Sequence, residues 1–242
     1  MRKRFLFLLI PLCLGLTQCK KNDSQGGSGN LNTRSVGASA KELLTATTYQ
    51  SIRLEIQYMP GYNPDGAALT NAVDFLNTYV NKPGGIIITQ NQIAGSGKTI
   101  LTLAQVYDIE KANRTVFTSG NQLGIYLLFA DAKYTDAAVV GLAYKNTSMV
   151  LFGPSVNESS GGIGQIGRTK LETIVEEHEF GHLMGLVDLG TPMVVNHKDA
   201  SSNHCTVTNC LMYYATNLNN IVGPVPVLDD YCKNDLRANG GK

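Results

Sequence analysis

An excess of either charge is absent from this chain, and so is any apolar run long enough to cross a bilayer. Lys and Arg number 20 against 19 Asp and Glu, which leaves a formal net charge of +1 over 242 residues. No basic cluster stands outside the extreme N-terminus, so we expect no nucleic-acid partner. No segment repeats internally either. The hydrophobic fraction of 43% can supply the core of one large lobe or two small ones.

A complete phosphate-binding loop is also missing. Residues 95–99 read Gly-Ser-Gly-Lys-Thr, which resembles the end of such a loop. The loop begins with a glycine five residues before the glycine that precedes its lysine. Here the glycine before the lysine is Gly97, and Gln92 stands where the first glycine should be. We therefore interpret the segment as a glycine turn and expect no nucleotide partner.

The first nineteen residues are typical of an export signal. Residues 1–4 are basic, and residues 5–16 are apolar but too few to span a bilayer. The sequence Leu-Thr-Gln-Cys that ends at Cys19 resembles a bacterial lipobox, in which cleavage leaves a lipid-modified cysteine as the new N-terminus. Gln18 departs from the usual small residue, and a plain secretory signal with an incidental cysteine is the alternative. We expect an exported protein that Cys19 anchors to a bacterial outer membrane, facing the periplasm or the exterior.

The composition changes at about residue 41. Residues 20–40 are rich in Gly, Ser, Asn and Gln, and so few apolar residues predict a flexible tether. A short latency segment that blocks a site is the alternative. From residue 41 onward the apolar pattern is dense, and residues 41–242 are predicted to form the folded domain.

Strand and helix periods alternate along that domain. Residues 51–59 alternate as a strand does, residues 65–81 have helical spacing, and residues 86–89 predict a second strand. Thr102 and Gln105 fit a capping box that opens a helix ending near residue 113. Three further strands are predicted, at residues 122–130, 137–145 and 149–152, and the spacing of Leu228, Cys232 and Leu236 predicts a C-terminal helix. This order predicts an α+β fold, a mixed twisted sheet with a helix packed behind it.

Residues 178–182 read His-Glu-Phe-Gly-His, on a predicted helix that Thr169 would cap. Residues four apart lie on one helix face, so His178 and His182 can bind one metal ion while Glu179 lies beside it. Only four histidines occur in the chain, which makes a chance HExxH pattern rare. A pair of core histidines is the alternative interpretation.

Catalytic zinc normally takes three protein ligands and leaves a fourth position for water. Gly185 can end the helix sharply, because glycine tolerates the left-handed conformation, and so return Asp188 to the same metal. Asp188 is therefore the predicted third ligand. His197 and His204 are the alternatives.

The extended pattern, HExxHxxGxx followed by Asp, resembles the metzincin metallopeptidases, and its Asp form is similar to that of the snapalysins. The resemblance implies an upper lobe at about residues 41–185, with the sheet, a backing helix and the active-site helix. It also implies an edge strand that binds substrate backbone, and a small irregular lower lobe at about 186–242 that ends in a helix. Met212 matches the methionine beneath the metal. Tyr214, two residues later, matches a tyrosine that helps to hold the oxyanion in astacins and serralysins.

Cys205 and Cys210, just before Met212, also resemble the archaemetzincins, which bind a second zinc through cysteines. Only one later cysteine, Cys232, stands where those proteins have a pair. We therefore expect one catalytic Zn²⁺ and, in an exported protein, a single disulfide among the three cysteines with no preferred pairing.

The motif and the resemblance together imply a zinc-dependent metalloendopeptidase that cleaves a peptide or protein substrate. Zinc held by His178, His182 and Asp188 would activate a water, and Glu179 would act as general base and pass the proton to the leaving amine. The alternative is a cell-surface lipoprotein that binds a peptide or protein and keeps the zinc site for structure or regulation.

Overall fold

The computed structural model describes residues 31–213 and 223–242. The helices and strands, in chain order, are α1 (Ala40–Leu44), β1 (Ser51–Tyr58), α2 (Gly66–Tyr79), β2 (Ile86–Gln92), β3 (Ile100–Leu101), α3 (Leu103–Asn113), β4 (Gln122–Ala130), β5 (Lys133–Tyr134), β6 (Gly141–Lys145), β7 (Ser148–Phe152), α4 (Gly153–Ser159), α5 (Arg168–Leu183) and α6 (Asp230–Ala238). The fold is α+β, as the sequence predicts.

Five strands form one mixed sheet in the order β2-β1-β4-β7-β6. β1 pairs in parallel with both β2 and β4, and β4 pairs in parallel with β7. β6 pairs only with β7 in the described part of the chain, and it runs antiparallel to it. β6 is therefore an edge strand. β3 and β5 form a separate two-stranded sheet.

Strand β4 separates two layers of core, because successive side chains of a strand point to opposite faces of the sheet. Leu123, Ile125 and Leu127 belong to the layer that includes α2 and α5. Tyr126 and Leu128 belong to the other layer, which α3 covers. The sheet is thus buried on both faces, as expected where parallel strands dominate.

Local signals predicted some helix starts better than others. The capping box of α3 is confirmed, since Thr102 and Gln105 exchange both side-chain to backbone hydrogen bonds. The predicted cap of α5 is wrong: the N-cap is Gly167, and the Thr169 hydroxyl donates instead to Oδ2 of Asp65 at 2.9 Å. Asp65 caps α2, so this hydrogen bond connects the starts of two helices that pack together.

The segment before α1 is packed onto the domain. Asn32 is 2% exposed, and its side-chain amide donates to the hydroxyls of Thr118 and Thr147, each at 2.9 Å. Gly37 has a φ of +75°, and a β-carbon there would collide with the backbone of Leu189. Residues 32 and 37 therefore already pack against other parts of the described chain, ahead of the predicted domain start at residue 41.

The C-terminal part is organised around α6. Asp229 caps this helix by accepting a hydrogen bond from the Cys232 amide at 2.8 Å, and Cys232 and Leu236 are fully buried. Among the residues that the structure describes, no helix is both long and apolar enough to span a membrane.

Candidate metal centre

Helix α5 carries the HExxH residues, and every residue from Leu171 to Leu183 is buried. Its 3.6-residue period places His178 and His182 on one face, with ring centroids 4.8 Å apart. The ring of His204 lies 5.2 Å from each of them. Nitrogen atoms of the three rings lie within 4.8 Å of one another. Three imidazoles therefore converge on one point; we call them the histidine cluster.

His204 reaches this point on a hairpin formed by residues 197–206. The Asp199 amide donates to the His204 carbonyl at 2.8 Å, and the Thr206 amide donates to the His197 carbonyl at 2.9 Å. These two bonds close the hairpin and leave the His204 side chain directed at α5. The structure thus supplies a third donor from outside the helix.

The surroundings favour neutral imidazoles. Nδ1 of His178 lies 2.8 Å from the Leu211 carbonyl oxygen, which leaves Nε2 free for a metal. Burial lowers the pKa of His178 to about 4. Burial is also the main cause that lowers the pKa of His182 far below its ordinary value, and it lowers the pKa of His204.

The donor set can be tested against zinc on this structure. Nδ1 of His182 and Nδ1 of His204 are buried, and neither has a hydrogen-bond partner within the described ranges. Three neutral imidazoles that converge with uncompensated nitrogens match the three-ligand set of catalytic zinc. The residues present therefore fit a Zn²⁺ ion.

Asp188 does not reach the histidine cluster. Its carboxylate lies 3.1 Å from Nζ of Lys198, and its side chain is 55% exposed. Val187 and Asp188 both have positive φ, at 56° and 69°, in the turn that follows α5. His204, one of the two alternatives to Asp188, is the third member of the histidine cluster.

His197, the other alternative, lies away from the histidine cluster. It is 3% exposed, with Nδ1 3.3 Å from Sγ of Cys205 and Nε2 2.7 Å from Oδ2 of Asp235. Both ring nitrogens of His197 thus lie within hydrogen-bond distance of other side chains, those of Cys205 and Asp235.

Glu179 lies between α5 and the edge strand. Its Oε2 accepts a hydrogen bond from the Ala143 amide of β6 at 2.6 Å. Burial raises the pKa of the Glu179 carboxyl to about 7, although the Ala143 amide favours the ionised form. The carboxyl group can therefore both accept and release a proton near neutral pH.

Met212 is fully buried and packs against Gly181, which stands directly before His182. A β-carbon at Gly181 would collide with the sulfur atom of Met212. Glycine at this position thus allows the close packing. Tyr214 and Cys19 lie outside the described residues.

A second group of donors lies beside the first. Cys205, Cys210 and Cys232 are buried free thiols, so the expected disulfide is not formed. Donor atoms of these cysteines and of Asp229 lie within 4.8 Å of one another, and the sulfurs of Cys210 and Cys232 are 3.6 Å apart. We call these four residues the cysteine cluster.

Sequence reasoning missed Asp229 and gave His204 only as an alternative ligand. Asp229 lies three residues before Cys232, and a helix-capping carboxylate at that spacing faces the first turn, where the cysteine stands. No local pattern distinguishes His204 from His197, because the difference depends on how the hairpin packs against α5.

Solved structures with a related fold include one archaemetzincin. Archaemetzincin (amzA) from Methanopyrus kandleri matches with a TM-score of 0.50 and 13% identity, over 78% of this chain and 96% of that one. The fold is similar to archaemetzincin-type metallopeptidase folds. Metalloproteinase-II from Bacteroides fragilis matches with a TM-score of 0.44 and 14% identity, over 88% of this chain and 58% of that one. No protein-family model and no curated protein sequence matches the chain.

Proposed function

We propose that this protein is a zinc-dependent endopeptidase. The observation that carries the proposal is the convergence of His178, His182 and His204 beside a buried Glu179, on a fold similar to that of archaemetzincin. Three neutral imidazoles leave one zinc position open for water, which is the arrangement of catalytic rather than structural zinc.

Each residue has a separate task in the reaction. A zinc ion bound to the three histidines would supply Lewis acidity to a water and to the scissile carbonyl. Glu179 accepts the proton of the attacking water and then delivers it to the leaving amine. The Ala143 amide holds Oε2 of Glu179 at 2.6 Å, so the carboxyl group is oriented before substrate arrives.

Substrate recognition is proposed to use strand β6. This strand is an edge of the sheet in the described part of the chain, and edge strands bind extended peptides by adding them to the sheet. Ala143 of the same strand contacts Glu179. A peptide paired with β6 would therefore lie next to the general base.

We further propose that the cysteine cluster binds a second zinc ion with a structural role. Three thiols and one carboxylate form a four-donor set that is closed and largely buried, as structural zinc sites are. Sγ of Cys210 accepts hydrogen bonds from the amides of Met212 and Asp229, each at 3.4 Å. Such amides favour a thiolate, the form of cysteine that binds metal.

Export and lipid attachment through Cys19 are proposed from the first nineteen residues, whose basic start, short apolar stretch and Leu-Thr-Gln-Cys ending support them. The proposed substrates are accordingly peptides or proteins outside the cytoplasm.

The activity is tested by replacing the base. Glu179→Gln should keep the bound zinc, because its side chain is not a ligand, and should reduce cleavage of a broad peptide library by at least about 100-fold. Zinc content is measured by elemental mass spectrometry of the purified protein. Cleavage is measured by mass spectrometry of the peptide products, with and without a chelator. Glu158→Gln, the same change at an exposed glutamate on α4, serves as the matched control.

Two results would contradict the proposal. Undiminished cleavage by Glu179→Gln would exclude this residue as the base. A wild-type protein that holds zinc at the histidine cluster but cleaves no member of the library would favour the alternative, a lipoprotein that binds peptide or protein without hydrolysing it.

A further inference from the structure

We infer that the cysteine cluster controls the histidine cluster: metal bound by the cysteines raises the affinity of the three histidines for zinc, with Cys205 as the positioning residue for His204. The inference rests on the proposed function, since it concerns the regulation of the same metal centre. It is carried by one juxtaposition. His204 of one cluster and Cys205 of the other are consecutive residues of one hairpin.

The hairpin is anchored at its cysteine end. Cys205 is fully buried, its amide donates to the Met212 carbonyl at 2.7 Å, and its sulfur lies 3.3 Å from Oδ2 of Asp229. The neighbouring His197 adds a second anchor through its 2.7 Å contact with Asp235 on α6. The cysteine cluster therefore brings together three parts of the chain. These are the hairpin with Cys205, the segment 210–212 and the start of α6.

The histidine end has few anchors of its own. His178 and His182 are positioned by the sixteen-residue helix α5 whatever the state of the hairpin. His204, by contrast, has a buried Nδ1 with no hydrogen-bond partner among the described residues. Its neighbour Asn203 donates one hydrogen bond to the Val187 carbonyl, at 3.2 Å. The His204 carbonyl accepts the Asp199 amide at 2.8 Å, but that bond lies within the hairpin. The position of His204 thus follows that of the hairpin, which is anchored at Cys205.

This difference in anchoring explains why metal at the cysteines would favour zinc at the histidines. A metal ion at the cysteines fixes the base of the hairpin, so the histidine cluster no longer bears the entropic cost of ordering His204 when it binds zinc. Couplings between two sites of a protein are commonly 5-fold to 150-fold in affinity, and they are reciprocal. We therefore expect each cluster to bind metal more tightly by the same factor when the other is filled.

The test uses the full-length protein and residues remote from the hairpin. Cys232→Ser removes a cysteine-cluster ligand on α6, and His182→Ala removes a histidine-cluster ligand on α5. The affinity of the histidine cluster for Zn²⁺ is measured by competition with a chelating indicator. The affinity of the cysteine cluster is measured by titration with Co²⁺, whose thiolate charge-transfer absorption reports sulfur ligation. Asn234→Ser, the same new residue at an exposed position of α6, is the matched control.

We expect Cys232→Ser to weaken Zn²⁺ binding at the histidine cluster by about 5-fold to 150-fold. His182→Ala should weaken Co²⁺ binding at the cysteine cluster by the same factor, and Asn234→Ser should change neither. If Cys232→Ser does not fold, the His182→Ala arm alone decides, because reciprocity requires the same factor there.

Unchanged Co²⁺ affinity in His182→Ala, or unchanged Zn²⁺ affinity in folded Cys232→Ser, would overturn the coupling and leave the proposed peptidase intact. A wild-type protein that binds no Zn²⁺ at the histidine cluster would instead overturn the proposed function itself. The two failures are thus distinguishable in the same titrations.

Discussion

The amide of Ala143 donates a 2.6 Å hydrogen bond to Oε2 of Glu179 and so connects the edge strand β6 to helix α5, which carries the HExxH residues. On the same strand, Gly141 lies so close to α5 that a β-carbon would collide with Val175 and stand 3.3 Å from Oε1 of Glu179. The spacing between the strand and the carboxyl group is therefore set by contacts at both Gly141 and Ala143.

Gly141→Ala tests that spacing. The added methyl group should push β6 away from α5 and displace Glu179, and displacements of about 1 Å at a reacting group can cost about 100-fold in rate. We expect cleavage to fall by at least about tenfold while zinc content stays unchanged. Gly66→Ala, where a β-carbon meets nothing within 4 Å, should leave cleavage as it is. Equal activity of the two variants would show that the strand does not constrain the base.

The choice of third ligand is tested by a pair of variants. His204→Ala removes a donor of the histidine cluster and should lower zinc affinity there by more than the 10-fold to 100-fold typical of residues that only support a ligand. Asp188→Ala removes an exposed carboxylate that pairs with Lys198, and should leave zinc affinity within about twofold, since exposed ion pairs contribute little. Competition titrations with a chelating indicator measure both. A larger loss of zinc affinity in Asp188→Ala than in His204→Ala would instead make Asp188 the third zinc ligand.

The role of the segment before α1 is tested at Gly37. Gly37→Ala should destabilise the domain by more than about 3 kcal/mol, because it combines a positive φ with a collision against the Leu189 backbone. Gly61→Ala has a similar positive φ but no neighbour within 4 Å, and should cost only about 1 kcal/mol. Urea unfolding compares the two. Equal costs would mean that Gly37 makes no packing contact.

The chemical state of the three cysteines can be read directly. Full-length protein that is chelated, denatured without reductant and alkylated should carry the label on Cys205, Cys210 and Cys232 alike, since all three are free thiols. Before chelation and denaturation the three should resist alkylation, because they are buried and would be metal-bound. Peptide mass spectrometry locates the label. Labelling of only one cysteine in the denatured sample would establish a disulfide between the other two.

Local patterns predicted those parts of the protein whose geometry is local. The period of α5 sets the relation of His178 to His182, and the apolar, β-branched and aromatic content of residues 122–130 predicted β4 with its observed bounds, because both depend on residues a few positions apart. The third member of the histidine cluster depends instead on how a hairpin some twenty residues further on packs against α5. The chain after Gly185 has two positive φ values and places Asp188 beside Lys198, and side-chain spacing in a sequence does not reveal either feature. Composition likewise suggested a tether through residue 40, whereas specific hydrogen bonds of Asn32 hold that region in place.

If Cys19 carries the proposed lipid anchor, the packed position of Asn32 limits how far the domain can lie from the membrane. A tether through residue 40 would give about 70 Å of extended chain beyond a lipid-modified Cys19. With the folded domain starting near residue 31, residues 20–30 provide a maximum reach of roughly 40 Å, which is comparable to the diameter of the domain itself. An anchored molecule would then work close to the lipid surface, on substrates that lie at or near that surface rather than on those far from it.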